Sequence, residues 1–267
     1  MSSPDHNPIG LEIRDDGVAR IYLDRPPVNA LNEAMMKRLA EVAASVSQNK
    51  SVWLAVLSAR PGSGFSAGGD IGYLSTQTAL GWNSAGREVI HHMMNAVANI
   101  TVPTIAAVDQ WALAGGFELM LCCDLVVATE DSRFGVPEIT LGTFPGAGGT
   151  QRLPGVVGRT RAKEILFTGE PIDAQKAESI GLVNTLVPVG ELEKGVEDLI
   201  GRLSQSSPTS LVLMKRAMTY GGTLPMHQAL EYEAEVCSLA FDTHDQKEGM
   251  RAFLEKRPAA FLRTREI

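Results

Sequence analysis

The chain has 267 residues, 44% hydrophobic and 21% charged, with 24 Lys and Arg against 31 Asp and Glu for a formal charge of −7. A chain of this length and composition buries a sizeable core as a soluble globular protein. Its acidic balance leaves no basic surplus to neutralise phosphates, which excludes a general nucleic-acid binder but not an anionic small ligand held by a local Lys and Arg cluster. Three cysteines, Cys122, Cys123 and Cys237, make an odd set with an adjacent pair. That is no disulfide framework, so a reducing compartment is expected. The start, MSSPDHNPIG, has no apolar leader-like run. No apolar stretch approaches a membrane span, and the expectation is a cytoplasmic protein with no membrane partner.

Leu11 to Tyr22 alternates apolar and polar residues about Asp15-Asp16-Gly17 and predicts a hairpin. Asn32 caps a predicted helix to about Ser47, with Met35, Leu39, Val42 and Val46 on one face. Val52 to Leu57 reads as a buried strand, Ser58 to Asp70 as a Gly- and Ser-rich loop, and Trp82 to Ile100 as a helix. Thr104 to Val108 is a short apolar strand and Asp109-Gln110 a turn. A helix is expected from near Phe117 to Cys123, and Leu125 to Ala128 is a second buried strand. Helix follows from Arg159 to Phe167, then a helix capped by Asp173 that stops at Gly181, then a strand from Leu182 to Val187. Residues 191–205, 209–220, 224–241 and 245–257 read as helices. The organisation is a mixed α/β core over residues 1–195 and an α-helical region over 196–267 that packs on the core or on a neighbouring subunit.

The chemistry concentrates around Ala114-Gly115-Gly116 and the residues after it. A Gly pair between strand and helix lets a ligand approach the backbone and leaves free N–H groups at a helix start. Glu118 lies in that first turn, and Glu138 follows a Gly-Val-Pro corner. Donors of this kind hold a developing oxyanion while carboxyl groups move protons. Taken alone, Glu118 suits the helix macrodipole equally well, and Glu138 reads as solvated loop.

The stretch resembles the signature of the enoyl-CoA hydratase/isomerase, or crotonase, family. The residues that carry it are Ile105 to Val108, Ala114 to Leu119, Cys123-Asp124, Phe134-Gly135, Pro137-Glu138 and Gly142 through Leu153. A second segment, Phe65 to Ile71, and echoes at Arg25 to Asn32 and Glu248 to Arg257 extend it over nearly the whole chain. Repeated strand–strand–helix rhythm alone leaves a doubly wound sheet open. The resemblance implies the α/β crotonase-type spiral of repeated ββα units in two stacked sheets, with an α-helical C-terminal region and assembly as a homotrimer or hexamer.

It further implies reversible hydration of a trans-2-enoyl-CoA to a 3-hydroxyacyl-CoA, in fatty-acid or related acyl-CoA degradation. Glu118 and Glu138 are then the catalytic pair, with Glu138 assigned the α-proton. The backbone N–H groups of Gly69 and Gly115 form the oxyanion hole. Gly69 replaces the commoner Ala, and Asp109-Gln110 the usual Asn-Gly turn. The resemblance implies substrate binding by Ala67, Gly69, Asp70, Ile71, Gly115, Gly116 and Phe144; coenzyme A arrives with the substrate, and no separate cofactor and no metal are expected. Asp70 is equally a helix cap, and Trp82, Phe117 and Phe144 either line an acyl pocket or fill the core. Lys256, Arg257 and Phe241 are weaker candidates for coenzyme A contact, and Asp124 reads as structural. His6, His91, His92, His227 and His244 show no metal-ligand spacing. The alternatives are a double-bond isomerase or other acyl-CoA reaction of the family, or a non-catalytic acyl-CoA-binding paralogue. Gly64-Phe65-Ser66-Ala67-Gly68 also matches the serine-hydrolase elbow, though no strand runs directly into it.

Overall fold

The computed structural model describes residues 7–267, so His6 and the first residues of the chain lie outside the described part. The predicted hairpin forms from β1 (Ile9–Ile13) and β2 (Val18–Leu23), paired from Ile9 with Leu23 to Ile13 with Ala19. Asn32 caps α1 (Glu33–Gln48), its Oδ1 accepting the Met35 N–H at 2.9 Å. The chain returns parallel to β2 in β3 (Leu54–Ala59), as a parallel neighbour requires a crossover connection. This strand starts later than Val52 because Trp53 donates its N–H to Gly17 of the turn, and it ends later because Ser58 and Ala59 still pair with Tyr22 and Leu23.

The single helix expected over Trp82 to Ile100 is three segments, α3 (Ala79–Ala85), a π-helical stretch Gly86–His91 and α4 (His92–Ala98), preceded by the short α2 (Ile71–Leu74). Then come β4 (Thr104–Val108), β5 (Trp111–Leu113), α5 (Gly115–Met120), β6 (Leu125–Thr129) and β7 (Arg133–Gly135). Helix α5 begins two residues before Phe117 and stops before Cys122-Cys123. Those two residues tighten the exit by donating to Leu119 and Met120 carbonyls. They therefore pack beyond the helix, not within it, with Cys122 buried and Cys123 part-buried.

A 3₁₀ turn (Pro137–Leu141) leads to α6 (Gly149–Val157), α7 (Arg159–Thr168), β8 (Ile172–Asp173), α8 (Ala174–Ser179) and β9 (Thr185–Val187). Asp173 caps α8 through the Lys176 N–H at 2.7 Å. β9 is shorter than Leu182 to Val187 because the N–H groups of Leu182 and Val183 both turn back to the Ala177 carbonyl. Four helices complete the chain: α9 (Leu192–Leu203), α10 (Pro208–Gly221), α11 (Met226–Ala240) and α12 (His244–Leu254).

The strands form two layers. A six-stranded sheet runs β1-β2-β3-β4-β6-β9, parallel except for β1, and a small sheet runs β5-β7-β8. Each turn of the chain lays one strand in the large sheet, steps across to the small one and leaves through a helix: β4, β5 and α5, then β6, β7 and the turn to α6. The turn from β3 leaves only a bridge, Ser66 beside Ala112, in the second layer. This is the expected spiral of ββα units.

Strands β3, β4 and β6 are covered on both faces, which is why they read as continuous apolar runs. Successive residues alternate sides. Ala55, Leu57, Ala106 and Val108 join α1, α4 and α5, whereas Leu54, Val56, Ile105 and Ala107 join Val196, Leu199 and Ile200 of α9. Asp124 fixes the register of this sheet: its Oδ2 accepts the Thr104 N–H at 2.7 Å and pairs with Lys215 of α10 at 2.6 Å. Removing the α1 cap, Asn32→Ala, leaves one helix-start N–H unpartnered and is expected to lower unfolding free energy by about 1 kcal/mol, read from urea denaturation at fixed protein concentration.

Candidate active site

The strand-to-helix step at 113–115 is built by close approach. Ala114 has φ 50, which turns the chain out of β5, and its N–H donates to the Gly135 carbonyl of β7 at 2.8 Å. The start of α5 then lies against the loop 66–69. A Cβ on Gly116 would sit 2.3 Å from the Ser66 carbonyl oxygen, so only glycine fits. A Cβ on Gly115 would stand 3.4 Å from the Gly69 nitrogen. Two backbone N–H groups from segments far apart in sequence are thus neighbours. The Gly115 N–H begins a helix and has no intrahelical acceptor. The Gly69 N–H has no acceptor among the described residues, although its neighbour Asp70 donates to Leu31.

Gly69 and Gly115 both line a cavity of about 390 Å³. Glu118 and Glu138 line the same cavity, with Leu31 and Met36 of the α1 segment, Tyr73 and Leu74 of α2, Trp82, Ile90, Met94 and Phe144. Its floor is apolar and buried (Leu31, Met36, Ile90 and Met94), and its mouth is formed by the more exposed Thr78, Ala79 and Phe144. Of the lining side chains only the two Glu carry formal charge.

Glu118 is 2% exposed. Its Oε1 accepts two backbone N–H groups, from Ala147 and Gly149, each at 2.8 Å, which leaves Oε2 uncommitted. Burial is the largest influence on this carboxyl and pushes it up to about 7, the two N–H bonds oppose it, and the nearby Glu138 adds to the rise. Glu138, at the 3₁₀ turn, is also raised above the usual carboxylate range by burial. Its Oε2 is shielded from solvent and has no partner among the described residues. An orphaned buried oxygen facing a second carboxyl is where a water or substrate proton is accommodated. Burial thus raises both carboxyls above the ordinary carboxylate range and makes each a stronger base than an exposed one.

The structure brings Gly69, Gly115, Glu118, Glu138 and Phe144 to one cavity. Of the other candidates, Trp82 also lines it and the rest lie off it. Gly116 packs behind it on Ser66. Asp70 caps α2 through the Tyr73 N–H and pairs with Arg25 at 2.8 Å; the Tyr73 bond, with Arg25 second, holds its carboxyl below the usual range. Ala67 donates its N–H to the Val28 carbonyl, and Ile71 is exposed. Of the three aromatic candidates, Trp82 and Phe144 line the cavity while Phe117 is fully buried core. Lys256, Arg257 and Phe241 do not line it, and Arg257 is tied to Glu248 at 2.6 Å. Ser66 is not a free nucleophile: it is fully buried, its Oγ donating to the Asn29 carbonyl and accepting the Gly68 N–H. Burial pushes the Cys122 thiol up to about 12, so it too is inert.

Sequence reasoning missed the N–H groups of Ala147 and Gly149 that hold Glu118; the run Gly142 to Gly149 was the available signal. It also missed the floor, whose residues come from two stretches of chain far apart in sequence. A larger cavity of about 590 Å³ lies between the ends of α1 and α4 and helices α10 and α11. Its Lys215, Arg216 and Arg265 are engaged with Asp124, the Tyr232 hydroxyl and the carbonyls of Ser47 and Asn49, and it holds no acid pair. The chemistry belongs to the smaller cavity.

A spiral of ββα units with adjacent glycine N–H groups beside one buried and one half-buried carboxyl fits an acyl-thioester enzyme class, and sequence comparison agrees. The enoyl-CoA hydratase/isomerase family model matches residues 14–264, and the chain belongs to that family. The crotonyl-CoA hydratase of Syntrophomonas wolfei is 38% identical over 93% of this chain and 96% of its own length. The 2,3-dehydroadipyl-CoA hydratase of Escherichia coli is 34% identical over 93% of this chain and 96% of its own. The crystal structure of an enoyl-CoA hydratase from Bacillus anthracis superposes with a TM-score of 0.90 at 32% identity, covering 96% of this chain and 99% of that one.

The raised Glu118 carboxyl has a consequence for stability. Its value rises from 4.5 to about 7 on folding, so the stability that comes with its neutral form is complete below 4.5 and is lost as pH rises through 7. Glu118→Gln keeps an oxygen acceptor without the charge. It is expected to unfold at higher denaturant than wild type at pH 8, by up to about 3 kcal/mol, with the difference shrinking as pH falls below 5. Unfolding at pH 8 and pH 5 measures it.

Proposed function

We propose that the protein is an enzyme that hydrates a trans-2-enoyl-CoA reversibly to the 3-hydroxyacyl-CoA. The observation that carries this is the pairing of Glu118 and Glu138 on one cavity beside the free N–H groups of Gly69 and Gly115. The thioester oxygen accepts from those two N–H groups as it takes on enolate character, each donor worth about 3 kcal/mol of barrier. The double bond is thereby polarised and its β-carbon becomes electrophilic. Water lies between the carboxyls; its oxygen bonds to the β-carbon while its proton passes to the free Oε2 of Glu118. Glu138 supplies the proton that bonds to the α-carbon as the π-bond breaks. Return of the proton from Glu118 to Glu138 through the next water resets the pair. The thioester supplies its own coenzyme A, and no other cofactor enters these steps.

Double-bond isomerisation needs one carboxyl that carries a proton between two carbons. A second acid on the same cavity favours addition of water. The same pair argues against a non-catalytic acyl-CoA-binding role, since taking carboxyls out of water costs stability that binding alone does not require. The apolar floor selects an apolar acyl tail. An acyl group ending in a carboxylate, as in the substrate named for the Escherichia coli relative, would bring a further carboxylate against lining that has no cation.

Exposed apolar side chains on the C-terminal helices, among them Met218, Met226, Phe253 and Leu254, support burial of that surface by further copies in a homotrimer or a hexamer. No helix among the described residues is long and apolar enough to cross a membrane, and we assign the enzyme to the cytoplasm.

The conjugated-thioester absorbance of crotonyl-CoA is expected to fall with formation of the 3-hydroxyacyl product. Glu138→Gln is expected to slow that at least about 100-fold, and 2,3-dehydroadipyl-CoA to be turned over at least about tenfold less efficiently than crotonyl-CoA. An unchanged crotonyl-CoA spectrum, or a thiol product in its place, would overturn hydration of short apolar enoyl groups.

A further inference from the structure

The carboxyl of Glu118 is held by a strap of chain, Pro145 to Gly149, and the strap is itself held from outside. One peptide unit joins the two sides. Its nitrogen end, Ala147 N–H, donates to Glu118 Oε1 at 2.8 Å, and its carbonyl end, the Gly146 oxygen, meets His91 Nε2 at 2.7 Å. A carbonyl oxygen only accepts, so Nε2 carries the proton and His91 is the donor. The other face of Gly146 is closed by Trp82: a Cβ there would stand 3.1 Å from the indole ring. The next peptide is fixed from α6, where Arg152 Nη1 donates to the Ala147 carbonyl at 3.2 Å and Nη2 reaches Asn95 of α4 at 3.0 Å. His91 ends the π-helical stretch that joins α3 to α4, so the helix flooring the cavity also reaches round to the strap.

We propose that His91 is a positioning residue for the hydration reaction: through the Gly146–Ala147 peptide it aims and polarises the N–H that holds the Glu118 carboxyl. A donor on a carbonyl strengthens the N–H of the same peptide as a donor, because the two ends of the amide are conjugated. It also fixes the rotation of that peptide plane, on which the alignment of the Ala147 bond depends. His91 does not face the substrate, and it does not line the cavity. Its loss is therefore read in the chemical step and not in binding. His92, next in sequence and equally exposed, makes no such bond among the described residues and serves as the comparison.

The inference rests on the hydratase reading for its kinetic part and is independent of it for its spectroscopic part. Crotonyl-CoA hydration is measured for wild type, His91→Leu, His91→Gln and His92→Leu, with thermal unfolding recorded for each. Glutamine places an amide N–H where Nε2 stands. The expected result is a kcat about tenfold lower in H91L with KM within about twofold, recovery in H91Q to within about threefold, and wild-type behaviour in H92L. In parallel, the ¹³C-labelled Glu118 carboxyl, identified by its absence in E118Q, is titrated in wild type and H91L.

The charged or titratable groups that act on that carboxyl are Glu138 across the cavity, Arg152 from α6 and the Cys122 thiol. All are retained in H91L, so a weaker Ala147 bond is expected to move the midpoint upward by about half a unit. An H91L enzyme with wild-type kcat, an H91Q enzyme as slow as H91L, or an unmoved Glu118 midpoint would overturn the proposal. A wild type without hydration activity but with the midpoint shift would retain the contact's effect on Glu118 and refute the proposed reaction instead.

Discussion

A single buried carboxyl governs the design of this molecule. Glu118 is taken almost wholly out of water, and ionising it there is costly unless backbone donors are brought to it. The strap after Gly142 exists to bring them: Gly148 adopts φ +117, and the N–H groups on either side of it, from Ala147 and Gly149, converge on one oxygen. The balance between desolvation and those two bonds leaves the carboxyl near neutrality, where it can take or release a proton under ordinary conditions. Were the strap displaced, burial alone would keep the group protonated. Were the pocket opened, it would be an ordinary ionised glutamate with little basicity.

The spiral supplies the other half of the site. Because each turn steps from the large sheet to the small one before entering its helix, the loop after β3 and the loop after β5 arrive side by side. The bridge between Ser66 and Ala112 and the absence of any side chain on Gly115 and Gly116 bring the two backbones into contact. That contact turns two unrelated N–H groups into a pair. The buried hydroxyl of Ser66 belongs to the same joint, bonding Asn29 on one side and Gly68 on the other, so a residue that looks like a nucleophile is a fastener. The dry apolar floor beneath completes the arrangement, since hydrogen bonds to a developing enolate are strongest where water is excluded.

Hydration needs an acid and a base within reach of one water, and the two carboxyls meet that need by different routes. Glu118 is on a helix and held rigidly; Glu138 is on a 3₁₀ turn, half-buried, with one oxygen unpartnered. Burial raises both above the ordinary carboxylate range, and the nearby Glu138 adds to the rise at Glu118. Met36 and Met94 line the same cavity as the two acids and Gly69 and Gly115.

The sequence by itself determined what depends on near neighbours in the chain. β4 is found at Thr104–Val108 as read, Asn32 and Asp173 are caps as read, and the central strands β3, β4 and β6 betray their burial as apolar runs. The Gly-Gly step and Glu118 were legible because a helix start with no side chains leaves a local mark, and the family resemblance then picked out Glu138 and Gly69. Tertiary structure alone decided the rest. β5, β7 and β8 are two or three residues long, too short to carry a period, and exist only because partners lie beside them. Asp70 and Phe117 look as suited to a ligand as Phe144 does until packing turns one into a cap and the other into core. The floor joins Leu31, Met36, Ile90 and Met94 from distant segments, and the strap is gripped by His91 from more than fifty residues upstream. Contacts of that kind have no local signature, because the energy that fixes them comes from surfaces that meet only after the chain has folded.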